Sequence, residues 1–398
     1  MTSQDPILIV WPEYPPAYGG IQVHGVEFAR YLHRNKVPFL IVTKQPSSPG
    51  TAAESREIDS LNGFSALRVL SGDDFQRDLG TLQSLATALN PSVVFSSQVA
   101  YAPAFEGTSK FVCRSAGNDI LRPWIGPHDI SSKLLREKTF EEQRRCLEEN
   151  RKWVRSAARK CHMIICNSKW TEDRLRELGI EELCTITGGV RTDLFRPVDK
   201  VKVRAALNWD RDATVALIVA RHVLKKGIDI AIEAIDRLRD RNVKLMIVGD
   251  GPEKDNLRSL SHELDVTEQV TFLGVLPHAV LPRYVAAADM LLMPSRSIYD
   301  PIRFAIDHET MGRTICEAAA CEVPVVASRS GGIPSVVRDG ETGLLVPPNN
   351  VAALAEAIVE LAESPARASK MGKSARLWAE ESLSFEVVSR QILEVLSS

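Results

Sequence analysis

The sequence predicts an α/β fold of two domains, each a parallel sheet covered by helices on both faces. Three observations lead there. Short continuous apolar runs, such as Ile7-Leu8-Ile9-Val10-Trp11 and Val215-Ala216-Leu217-Ile218-Val219, alternate with helical or loop stretches. Such runs read as strands buried on both faces, and their alternation with helices favours parallel pairing. The chain has 398 residues, more than one ordinary core accommodates and enough for two. The alternation pauses in the polar, charged stretch Arg196 to Arg211, where the linker is placed, and then restarts. The expected domains are residues 1–196 and 212–381, followed by a helical tail over 382–398.

Composition bounds the function. Apolar residues make up 44% and charged residues 25%, as in soluble globular proteins. A formal net charge of −2 gives no electrostatic reason to expect nucleic acid. The seven cysteines include no CxxC pair and no metal-like spacing, which suits reduced thiols in a cytoplasm. The polar start, Met1 to Pro6, leads directly into an apolar strand, so no signal peptide is expected. No apolar run approaches the roughly 20 residues that span a bilayer.

In chain order, the first strand, Ile7 to Trp11, leads into Pro12 to Gly20, a loop ending in Gly19 and Gly20. Ile21, Val23, Val26, Phe28, Ala29 and Leu32 then form a helical stripe. Strand, glycine loop and helix can cradle an anion on backbone amides, although GxGxxG is absent; a tight turn without a ligand explains the glycines equally well. Further strands are predicted at Phe39 to Val42, Val93 to Phe95 and Lys110 to Cys113. The last opens into a polar loop at a strand's carboxyl end, where ligands collect in open α/β sheets. There Asn118 and Asp119 are candidates for holding sugar hydroxyls, against the alternative that Asp119 caps a turn.

Ser131 to Lys160 reads as a long charged helix or helix pair with ten Lys/Arg and five Glu. Its positive excess suits an anionic lipid or acidic acceptor, whereas a solvated face with Leu134, Leu135, Phe140, Leu147, Trp153 and Val154 packed inward explains the same residues. Met163 to Cys166 and Cys184 to Ile186 complete the first half as strands. In the second half, Val215 to Val219 ends at Ala220-Arg221-His222-Val223-Leu224-Lys225-Lys226-Gly227. Arg221 and Lys226 lie where two cations can clamp a diphosphate. Lys244 to Val248 precedes the turn Gly249 to Pro252, Val270 to Leu273 ends at Gly274, and Met290 to Met293 delivers the chain to Pro294.

The stretch Pro294 to Gly332 carries the densest signal. Glu309 and Glu317 flank Gly312, which frees the backbone at a loop-to-helix corner, and a helix is predicted from Arg313. The first turn of that helix presents unpaired amides and a positive dipole end to a phosphate. Glu317, one turn in, can accept from hydroxyls of a group attached to the phosphate, such as a ribose. Glu309, on the approaching loop, can reach the group on the other side, although from the spacing alone two solvated surface carboxylates explain the pair better.

Together these motifs carry a resemblance. Ala220-Arg221 to Lys226-Gly227, Ile247-Val248-Gly249-Asp250-Gly251-Pro252, the Glu309-to-Glu317 stretch running into Val325-Val326, and Ser330-Gly331-Gly332-Ile333-Pro334 onward to Val346 occur in this order. The set resembles glycosyltransferase family 4, whose members are retaining, metal-independent nucleotide-sugar enzymes of the GT-B fold. Tyr18-Gly19-Gly20 and Gly189 to Pro197 extend the likeness through the first half. The resemblance implies two Rossmann-like domains facing across a cleft, acceptor in the first and donor in the second, with the tail crossing back to the first. It gives Arg221 and Lys226 the task of stabilising the departing diphosphate, an electrostatic role that replaces a metal ion. Amides around Gly312, Arg313 and Thr314, with Gly20, would hold phosphate oxygens. Glu317 would bind the ribose and Glu309 the transferred sugar, and the base would lie near Gly249 and Val275. No metal and no cofactor beyond the donor substrate are expected, and the implied partners are a nucleotide-diphosphate sugar and a hydroxyl acceptor.

Three departures from the family pattern stand out. The histidine usual before the loop glycine is absent at Ala116-Gly117-Asn118-Asp119. Ser295 to Glu309 is lengthened, with Ser297 to His308 suited to a flap. Thr310 and Arg313 replace the usual glycine and aliphatic residue. Two other functions use the same scaffold: a sugar-nucleotide epimerase or hydrolase, and a nucleotide-sugar-binding protein without turnover.

Overall fold

A computed structural model describes residues 5–15, 20–122, 126–128, 138–301 and 303–398. The expectations at Gly19, Leu134 and Leu135 fall outside these residues. The chain forms two compact units, one of residues 1–186, 300–305 and 388–398, the other of residues 187–299 and 306–387. The second unit thus begins before the polar stretch 196–211, and within that stretch lies a short helix, Lys200–Ala206, capped by the Asp199 side chain.

In the first unit, strands β1 (Ile7–Val10), β2 (Phe39–Lys44), β3 (Ala66–Leu70), β4 (Val93–Ser96), β5 (Lys110–Ser115), β6 (Met163–Cys166) and β7 (Leu183–Thr185) form one sheet. Its order is β3-β2-β1-β4-β5-β6-β7 and every pairing is parallel. Alternate residues feed two cores. Leu8, Val10, Val94, Phe111 and Cys113 pack on one face. Ile7, Ile9, Phe95 and Val112 meet Phe28 and Leu32 of the helix Gly20–Arg34, and Val388, Ile392 and Leu396 of the helix Phe385–Ser397, on the other. Each such side chain removed from water stabilises the fold by about 1.5–3 kcal/mol. The tail helix therefore belongs to the first unit from Val388 onward.

The sequence gives no sign of β3. Its Ala-Leu-Arg-Val-Leu run is interrupted by Arg68, which pairs with Asp59 at 2.6 Å, as an edge strand permits. The charged helix starts at Phe140, where Thr139 and Glu142 form a capping box, and ends at Ala158. Leu147 and Val154 are buried as expected, but Phe140 is 64% exposed and stands edge-on to Phe304. Among the described residues, no helix is long and apolar enough to cross a membrane.

In the second unit, β8 (Thr214–Val219), β9 (Val243–Val248), β10 (Val270–Gly274), β11 (Met290–Met293), β14 (Val325–Ser328) and β15 (Gly343–Val346) form a parallel sheet in the order β10-β9-β8-β11-β14-β15. Between β11 and β14 the chain adds a two-stranded sheet of β12 (Ile298–Asp300) and β13 (Ala305–Asp307), inside the lengthened segment noted above.

Candidate functional site

The strand order of the second unit reverses between β8 and β11. In open α/β sheets the crevice outside the carboxyl ends at such a reversal is where ligands bind. The loops leaving β8, β9, β11 and β14 emerge there, and backbone packing fixes their positions. After β8, Leu224–Lys226 makes a single 3-10 turn closed by Gly227 at φ +63°. A Cβ on Gly227 would lie 2.0 Å from the Pro294 carbonyl oxygen, so only glycine lets the two loops approach. Arg296 fastens them: its amide donates to the Lys225 carbonyl at 2.9 Å, its Nε to that of Leu224 at 3.1 Å, and its guanidinium pairs with Asp229 at 2.7 Å.

This seam presents two lysines. The Lys226 ammonium pairs with the Glu309 carboxylate. The Lys225 ammonium binds Asp307 at 2.9 Å and the His308 carbonyl at 3.2 Å. Glu309 is held from behind, its carbonyl accepting from the Gly332 amide at 2.8 Å, while a Cβ on Gly331 (φ +53°) would lie 2.1 Å from the same oxygen. Burial raises the Glu309 carboxyl, but Lys226 and Lys225 outweigh it and hold the group below the ordinary glutamate range. Glu309 is therefore a charged acceptor with a cation beside it.

The helix predicted from Arg313 runs Arg313–Ala320. Gly312 sits at its start with φ +99° and offers no capping side chain, and the Ile315 amide of the first turn donates to the Gly312 carbonyl at 3.0 Å. Two buried polar atoms on this helix have no hydrogen-bond partner: the Thr314 hydroxyl and Glu317 Oε2. Glu317 is 3% exposed, and its Oε1 pairs with Arg313 Nε at 3.1 Å. A carboxylate buried this far with one oxygen unsatisfied is costly unless something binds there. Ser295, just after β11, has a fully buried hydroxyl that is likewise unpartnered.

Arg221 is exposed beside this seam. Gly249 lies at φ +129°, where a Cβ would meet the Ala220 carbonyl oxygen at 1.9 Å, and Val275 is 72% exposed. Lys226, Glu309, Gly312, Arg313, Thr314 and Glu317 thus lie on loops and one helix start at the carboxyl ends of β8 and β11, with Arg221 also just after β8 and Gly249 and Val275 just after β9 and β10. Gly20, Asn118 and Asp119 belong to the first unit: Gly20 opens its helix, and Asn118 and Asp119 start the short helix Asn118–Leu121. Reasoning from the sequence singled out neither Lys225 nor His222, though both lie inside the quoted motif. His222 is 1% exposed beneath the Gly249 turn, with both ring nitrogens unpartnered; burial holds its pKa below the usual histidine value. A histidine among cations gives no sequence sign of such burial.

Comparison with known proteins decides the family. The model of "Glycosyl transferases group 1" matches residues 199–378, and that of "Glycosyltransferase Family 4" matches residues 18–194. The chain belongs to glycosyltransferase family 4. Among similar proteins, a GDP-mannose-dependent alpha-(1-6)-phosphatidylinositol monomannoside mannosyltransferase of Mycolicibacterium smegmatis is 38% identical over 213 residues, 52% of this chain and 54% of that one. A D-inositol 3-phosphate glycosyltransferase of Mycobacterium sp. (strain KMS) is 38% identical over 179 residues, 44% of this chain and 38% of that one. The chain thus spans about half the length of the curated relatives it matches. The sucrose-phosphate synthase structure from Thermosynechococcus elongatus superposes with a TM-score of 0.75 at 22% identity, covering 98% of each chain. The two units are the two Rossmann-like halves of the GT-B fold expected for family 4.

Proposed function

We propose that the protein is a retaining, metal-independent glycosyltransferase that moves a hexose from a nucleotide-diphosphate donor to a hydroxyl acceptor. The observation that carries this reading is the unsatisfied buried carboxylate oxygen of Glu317, one turn inside a helix whose first-turn amides have no side-chain cap. A diphosphate on those amides places a ribose hydroxyl where Oε2 needs a donor. Arg221 and Lys226 supply the positive charge for the departing diphosphate, and Glu309 accepts from hydroxyls of the transferred sugar. Gly249 and Val275 border the base. In this reaction the bond from the sugar's anomeric carbon to the donor phosphate oxygen breaks. The acceptor oxygen bonds to the same face of that carbon, and its proton passes to the leaving diphosphate. Cations fixed before the reaction stabilise charge that develops on the leaving group.

The relatives' names favour GDP-mannose as the donor. They leave two kinds of acceptor, a mannosylated lipid and an inositol phosphate. The reading is tested by incubating the protein with GDP-mannose and a hydroxyl acceptor in the presence of a chelator and assigning the product by NMR. An α-linked product supports every part of the proposal. A β-linked product removes retention, and release of free mannose without transfer points to a hydrolase.

A further inference from the structure

In the second unit the turn after β9 rests on the residue that follows Arg221. The His222 amide donates to the Asp250 carbonyl at 2.8 Å, and its carbonyl accepts from the Glu253 amide at 3.1 Å, so its backbone spans the turn Gly249 to Pro252. The Ala220 amide extends the seam by donating to the Val248 carbonyl at 3.0 Å. The ring fills the space beneath. A Cβ on Gly249 would come 3.5 Å from His222 Nε2, and Phe272 of β10 stands edge-on with the ring centroids 6.2 Å apart. The residue is 1% exposed, yet neither Nδ1 nor Nε2 has a hydrogen-bond partner. An apolar side chain would fill this space without leaving two polar atoms unanswered, so packing alone does not account for a histidine. What distinguishes imidazole from an apolar filler is that it takes a proton near neutral pH.

The surroundings receive that proton badly. A protonated ring carries two donors and a charge, and neither donor has an acceptor here. Asp250 attracts the charge, but its carboxylate already accepts from the Gly251 amide and the Lys254 ammonium, each at 2.7 Å. Lys254 and Arg258, on the helix Lys254–Glu263, repel it, and the Arg258 guanidinium stands over the Phe272 ring at 5.5 Å. β10 adds Phe272 but no charge, and Arg221, the neighbour in the chain, is exposed. Burial first, and then these cations, keep the ring neutral below the usual histidine value. Once protonated, the ring finds acceptors only in water, and it reaches water only if the turn above it moves.

We propose that His222 is a positioning residue for the nucleotide: its neutral ring holds the turn Gly249 to Pro252 in place, and protonation displaces the turn and weakens donor binding. The inference rests on the transferase reading, which puts the base beside Gly249. The sign with pH follows from the lowered value. Affinity is full above the ordinary histidine value of 6.5 and is lost as pH falls through the lower folded one.

The test is calorimetric titration of the full chain with GDP-mannose from about pH 7.5 down to about pH 5, across the histidine range. The diphosphate of this probe is esterified at both ends and does not titrate there, so a change reports the protein. Wild-type affinity should fall at least about fivefold over this range. His222→Phe and His222→Leu take no proton, and each should bind with one affinity at every pH, whatever its size. Amide hydrogen exchange, corrected for its intrinsic pH dependence, reads the turn itself: the Glu253 amide should lose protection on acidification in wild type and keep it in the variants. A merely structural histidine would leave the wild-type profile flat and weaken the variants by the same factor throughout. A flat wild-type profile, or a pH dependence that survives in the variants, overturns this proposal and leaves the transferase reading standing. Should neither variant fold, a fall in wild-type affinity without loss of protection at Glu253 overturns it equally. Absence of binding at every pH overturns both.

Discussion

Lys226, with Lys225, holds the Glu309 carboxylate ionised against its burial. Lys226→Ala leaves a largely buried carboxylate beside Lys225 alone, and urea unfolding at pH 7 should show a loss of up to about 3 kcal/mol. The sign with pH follows from the depressed Glu309 carboxyl: its stabilisation is present above the ordinary glutamate range and is lost as pH falls through the lower folded value. The variant should lose this acid-side dependence, so its deficit narrows as the pH drops below about 4. Asp119 behaves oppositely. Raised from 3.8 to about 6, it stabilises fully below the lower value and loses that contribution as pH rises through the upper. Asp119→Asn should flatten the fall in Tm between about pH 4 and pH 6, and an unchanged profile would mean that Asp119 ionises freely. Glu317→Gln keeps the shape of the side chain but removes its charge, and calorimetry should register a loss of about 10- to 100-fold in nucleotide affinity, the worth of a hydrogen bond to a charged acceptor.

At the scale of elements, the site depends on backbones that approach too closely for any side chain. Gly331→Ala would drive a Cβ into the Glu309 carbonyl and displace the carboxylate. Transfer activity should fall by at least tenfold while far-UV circular dichroism still reports the fold; wild-type activity would show that the loop relaxes at no cost. The helix Arg313–Ala320 was readable in the sequence because glycine at its start and the spacing of Glu309 from Glu317 announce it. So were the central strands, whose runs are apolar on both faces. The edge strand β3 was not, since an edge needs no continuous apolar run and Arg68 is satisfied by Asp59. The pairings of Lys226 with Glu309 and Lys225 with Asp307 were also invisible, for each partner lies more than eighty positions away. The buried, unpartnered atoms of Thr314, Glu317 and Ser295 left no trace either, because burial belongs to the fold and not to residue type.

Across the whole molecule, two parallel sheets each reverse strand order once, and each reversal gathers unsatisfied polar groups at its carboxyl edge. The second unit places the Lys226–Glu309 pair and the buried Glu317 there, and the first places Ser97, Gln98 and Asp119. If charge on the departing diphosphate is met by side chains, turnover in excess EDTA should match turnover in magnesium, and a loss of more than tenfold would require a metal. The most direct measurement is calorimetric titration of GDP, ADP and UDP in EDTA, on wild type and on Arg221→Ala/Lys226→Ala. The account predicts binding of at least one nucleoside diphosphate by wild type and a loss of at least tenfold in the double variant. Equal affinity in both proteins would contradict the assignment of the diphosphate to this pair, and no binding by wild type would contradict the donor site itself.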